Sequence, residues 1–168
     1  MGKAFPDDLK LQIIAQFPGL ATDANFNITS PKDPRYNCIS WAMRYTDRWT
    51  QPSTGDLLLD GITWWPPGAT DGWHISCLVD AFVKEGFERC GDASFEDAFL
   101  KVALYYNPDD CEKWTHAARQ LRTRVWASKL GQAYDIEHGT PYSIEGDAYG
   151  KVYCIMRTPF YNPHKSKH

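Results

Sequence analysis

The first stretch whose apolar positions recur at helical spacing is Leu9, Ile13, Ile14 and Phe17, behind Asp7 or Asp8 as a cap and ahead of Pro18-Gly19 as a stop. It predicts a packing helix. A second helix is expected from Asn37 to about Tyr45, with Asn37 as N-cap, Cys38 at the first helical position, and Ile39, Ala42 and Met43 facing the core. The clearest pattern runs from about Gly72 to Gly86, where Ile75, Leu78, Val79 and Phe82 stand at i, i+3, i+4 and i+7. Ser94 followed by Asp97 reads as a capping-box variant before a short helical turn.

Beyond Lys101 the period changes. Residues 101–106, 114–121, 124–130 and 151–157 are short, β-branched or aromatic, and bounded by turn residues, so each predicts a strand. The second and third join through Arg122-Thr123 as a hairpin. Residues 21–35, rich in Asn, Thr, Ser and Pro, read as an irregular connector, and 46–72 as a long loop holding Trp64-Trp65-Pro66-Pro67. Helices first and an antiparallel sheet second predict an α+β domain over residues 1–160, followed by a polar tail at 161–168.

Composition narrows the class. With 43% apolar residues, 23% charged residues and a mean hydropathy of −0.49, the chain reads as a water-soluble globular protein. No apolar run can cross a bilayer, and residues 1–19 lack a continuous apolar region or a cleavage site of small residues. A net charge of −3 carries no basic footprint for nucleic acid. The five cysteines are irregularly spaced without a CxxC, which suggests neither a disulfide framework nor a zinc ribbon. The expected setting is cytoplasmic, or reached by a route without a signal peptide, with no nucleic-acid or membrane partner. His74 and Cys77 are three apart on a helix but have no second pair nearby, so no metal and no cofactor is expected.

Against that background Cys38 stands out. A thiol at a helix start feels the positive end of the helix dipole, which favours thiolate. A cysteine nucleophile also needs a base, and His116, in the middle of a predicted strand between Thr115 and two alanines, is the candidate. The group that would orient His116 depends on the hairpin register. A three-residue turn puts Ser128 on the face of His116, and a two-residue turn puts Lys129 there. Gln120, Glu137, His138 or a backbone carbonyl could serve instead. Oxyanion donors would be the Cys38 N–H and the side chain of Asn37 or Tyr36. Lys129, His138 and Trp65 are further candidates to line the cleft, whereas Asp135 and Glu137 read as surface or capping groups.

The combination "YNCISWA" at 36–42, "WPP" at 65–67, "THAARQ" at 115–120, "WASKLG" at 126–131, "DIEH" at 135–138 and "YG" at 149–150 resembles an uncharacterised bacterial domain family. Its motif order is similar to that of papain-like cysteine hydrolases, including bacterial toxin and effector domains. The resemblance implies a papain-like architecture and a hydrolase or acyltransferase acting on an amide, as a peptidase, amidase or deamidase. It further implies a protein or peptide substrate and a cognate inhibitor or immunity protein. Two features depart from that pattern: no Gln precedes Cys38 in residues 31–34, and the strand after His116 carries no Asn or Asp. The competing reading is a non-catalytic interaction module that binds through the tryptophan-rich loop.

Overall fold

The computed structural model describes residues 6–30, 35–52, 63–130 and 134–160. The polar tail at 161–168 and the turn expected at Gly131 lie outside the described residues. Helix α1 (Asp7–Gln16) is followed by a 3-10 turn at Pro18–Thr22, strand β1 (Asn27–Ser30), helix α2 (Cys38–Ala42) and the short strands β2 (Trp49–Thr50) and β3 (Thr63–Trp64). Then come α3 (Ile75–Lys84), β4 (Glu88–Cys90), β5 (Phe99–Asn107), β6 (Lys113–Gln120), β7 (Trp126–Lys129), β8 (Asp135–His138), a 3-10 turn at Pro141–Ile144 and β9 (Lys151–Pro159).

The expected α+β, papain-like architecture is not what forms. The chain is mainly β: a seven-stranded antiparallel sheet in the order β1-β8-β7-β6-β5-β9-β4, with helices of only ten, five and ten residues. Besides the two-residue strands β2 and β3 and the four-residue β8, the two edge strands escape sequence reading, for a physical reason. β1 lies in the polar stretch read as a connector and sits at a sheet edge, where only Ile28 is buried. β4, three residues long, is the opposite edge. The helical turn expected at Ser94 is absent; the Ser94 N–H and hydroxyl both bond the Asp92 carboxylate in a local turn.

Both faces of the sheet are covered, which is why β5 reads as a continuous apolar run and not as an alternation. Leu100, Val102 and Leu104 point to one face, with Ala117, and pack beneath α2 and α3. Ala103 and Tyr105 point to the other, with Ala118 and Trp126, beneath α1 and the two 3-10 turns.

The junction of β6 and β7 shapes the site. Leu121 donates its N–H to the Val125 carbonyl across a three-residue turn whose last member, Arg124, takes φ 81°. Type I turns closed by a left-handed residue produce this hairpin. The register then pairs Arg119 with Ala127 and Gln120 with Trp126, so Ser128 falls on the face of His116. The ladder ends after those two pairs, and α2 packs against both strands where they part.

Candidate functional site

The start of α2 is held by its own polar groups. Asn37, in an extended conformation, accepts from the Ser40 N–H at 3.0 Å and donates from Nδ2 to the Thr50 carbonyl at 2.7 Å. The Ser40 hydroxyl in turn lies 2.7 Å from that of Thr50 and accepts the Thr50 N–H. Asn37 thereby caps the helix and ties it to β2. Cys38 follows at the first helical position with 8% of its surface exposed. Burial pushes its thiol up to about 11, and the N–H groups of Ala117, Ile39 and Cys38 and the charge of Lys129 only partly offset this. The Ala117 N–H faces the sulfur and belongs to the residue after His116.

His116 is fully buried, and its hydrogen bonds determine its proton. His138 Nδ1 lies 2.8 Å from the Thr140 carbonyl, which can only accept, so that nitrogen carries the hydrogen. His138 Nε2 is then an acceptor, and it takes the Ser128 hydroxyl hydrogen at 2.8 Å. The Ser128 oxygen accepts in its turn from His116 Nε2 at 2.9 Å. What remains is His116 Nδ1, a buried lone pair with no hydrogen-bond partner among the described residues. Burial keeps both imidazoles neutral, with pKa values below the ordinary histidine range.

Tyr149 covers the other side of that ring. Its ring stacks on His116 at 4.0 Å with 4° between planes, and its carbonyl accepts the Thr115 hydroxyl at 2.6 Å. Gly150 makes this possible: it takes φ 73°, and a Cβ there would run into the Tyr106 carbonyl. Sequence reading noted the Tyr-Gly pair but gave it no role, because the stack depends on β9 returning beside β5.

A charged group lies on the opposite sheet face. Lys129, fully buried, has its ammonium 3.7 Å from Asp135 and 4.7 Å from the centre of the Tyr36 ring. Asp135 is thus an ion partner and not a surface group; the signal was its register opposite Lys129. Of the expected site residues, His116, Ser128 and His138 form one hydrogen-bonded chain, Tyr36 lies over Lys129, and Asn37 ties the start of α2 to β2. Trp65 stacks with Trp114 at 6.1 Å and donates its indole N–H to Thr70. Trp73 also stacks on Trp114, so these rings pack the loop onto the body. Among the described residues no group of three His, Cys, Asp or Glu side chains is placed to hold a metal ion. None of the helices described is long and apolar enough to cross a membrane.

The neutral imidazoles make stability depend on pH. The unfolded chain takes up a proton at each near the ordinary value of about 6.5, whereas the folded chain resists it. The unfolded state then binds more protons, so this contribution is complete above that pH and is lost as pH falls below it. Tm is expected to decline from about pH 6.5 to about pH 5, with a smaller decline in His116→Gln. Equal slopes in the two proteins would overturn the neutral assignment of His116.

Residues 27–157 match the model of a family described as a domain of unknown function, DUF7689, and the chain belongs to that family. No curated protein and no solved structure matches it.

Proposed function

We propose that this member of the DUF7689 family is a cysteine-dependent acyl-transfer enzyme that acts on an amide bond of a peptide or protein. The observation that carries the reading is the bare Nδ1 of His116, held by the Ser128 and His138 chain on the residue next to Ala117, whose N–H faces Cys38. An unsatisfied buried acceptor costs about 1–3 kcal/mol, a cost that use as a base explains.

A thiol with a pKa near 11 is thiolate in only about one molecule in 10⁴ at pH 7, so no preformed ion pair does the work. His116 Nδ1 takes the proton as Cys38 sulfur bonds to the amide carbon and the carbonyl π pair moves onto oxygen. The imidazolium keeps its Nε2–H on Ser128, whose hydroxyl remains directed at His138. The oxyanion is met by N–H groups of the first turn of α2, with the Lys129 ammonium adding positive charge. Collapse expels the amine, which receives the proton from Nδ1, and leaves a thioester on Cys38. Water or a second amine, deprotonated by His116, then takes the acyl group and regenerates the thiol.

The test is to treat the whole chain with p-nitrophenyl acetate, quench in acid and map the peptides. An acetyl thioester on Cys38, absent from a folded Cys38→Ala protein, is expected. Acetylation that tracks exposure alone, with Cys111 modified and Cys38 untouched, would sink the proposal.

A further inference from the structure

A pocket of about 290 Å³ opens at the far end of α2, lined by Trp41, Arg44, Arg119, Gln120, Arg122 and Phe160 among others. Its charge is out of balance. Arg122 is paired with Asp97 at 2.8 Å, but neither Arg44 nor Arg119 forms an ion pair with a described residue. Arg119 spends one N–H on the Trp41 carbonyl at 2.9 Å and stacks 3.8 Å over the Trp41 ring. Arg44 donates to the Phe160 carbonyl at 3.0 Å, while its Nε–H is buried without an acceptor among the described residues. The two guanidinium groups feel each other: burial first, and Arg44 second, pull Arg119 down to about 10. Asp135, a carboxylate whose charge reaches Arg119, is already engaged with Lys129.

The backbone adds a second observation. Arg44 follows the end of α2 at φ 72°, a position where glycine is the common choice and other residues are strained. Two adjacent arginines, an unsatisfied donor and a strained arginine share one cavity with an aromatic wall. Guanidinium forks recognise planar or tetrahedral oxyanions with paired N–H bonds, and such an anion would supply the counter-charge that the two arginines lack among the described residues.

We propose that this pocket is an oxyanion site for a small ligand, its carboxylate or phosphate head between Arg44 and Arg119 and its apolar body against Trp41 and Phe160. The site stands independently of the Cys38 chemistry.

Calorimetry on the full chain at constant ionic strength, with phenylacetate, phenyl phosphate and inorganic phosphate as probes, tests it. At least one probe is expected to bind with a Kd below about 1 mM. At about 100 times Kd it should raise Tm by roughly 5–10 °C. Preference for phenylacetate assigns a carboxylate head, and preference for either phosphate assigns a phosphate head. Arg44→Gln should weaken binding at least about tenfold. Arg44→Lys, which keeps the charge but loses the fork, should recover only part of it. Absence of binding by all three probes, or unchanged affinity in folded Arg44→Gln or Arg44→Lys, would overturn the site.

Discussion

Replacing His116 with glutamine is expected to slow acetylation of Cys38 at pH 7 by about 10²–10⁴-fold, the usual contribution of a positioned general base. Glutamine approximates the size of the imidazole and can still donate to Ser128, but its amide has no lone pair basic enough to take a thiol proton. The pH profile should change as well as the rate. Without the base, reaction must wait for spontaneous ionisation of a thiol whose pKa burial raises to about 11, so the rate should climb through the alkaline range. In the unsubstituted protein the profile should level off at lower pH, where His116 is already neutral. Cys111, which is exposed, is the internal control, and its modification should be unaffected. A quenched time course by peptide mass spectrometry reads both cysteines together, and equal Cys38 rates in the two proteins would remove His116 from the mechanism.

The largest loss of stability is expected from Trp126→Ala, about 3–5 kcal/mol. Trp126 is 2% exposed and packs in the core beneath α1 and the 3-10 turns. Its removal leaves a cavity that a four-residue strand, tied to β6 at only two positions, is poorly placed to close. For a chain of this size the change corresponds to a fall in Tm of roughly 6–20 °C. Ser128 is two residues along the same strand, so loosening β7 should also release the bond from His116 Nε2–H, a proton visible by NMR as a slowly exchanging imidazole resonance. A loss below about 1 kcal/mol with that resonance intact would show that β7 is held in place by other contacts.

The residues of the candidate site stand out in the sequence because they are types that chemistry selects. Cys38 after a capping Asn37, a histidine between small residues in a strand, and a serine or lysine on the next strand all follow from spacing and parity. The choice between Ser128 and Lys129 stayed open, since the turn has no Asn-Gly signature and rests on Arg124 adopting a left-handed conformation. His116 is held by a chain and not by a single group: Ser128 bonds His116 Nε2, and His138 bonds Ser128. No local pattern in "DIEH" announces that role, because His138 reaches Ser128 only through the pairing of β8 with β7. Asp135 was misread for the same reason.

Elements whose signals are short in range can be read from the chain alone. These are α1 and α3 from apolar period and stop residues, β5, β6, β7 and β9 from β-branched and aromatic runs, and the cap that opens α2. Only the tertiary structure decided how those elements combine. Edge strands β1 and β4 are made strands by their partners, which turned an expected helix-then-sheet domain into a two-sided sheet. The parting of β6 from β7, the Tyr149 stack and the Arg44 and Arg119 pocket likewise arise between segments far apart in the chain. The physical reason is that helix and turn propensities act over a few residues, whereas sheet order, proton placement and the balance of buried charge depend on which distant groups the fold brings within hydrogen-bond reach.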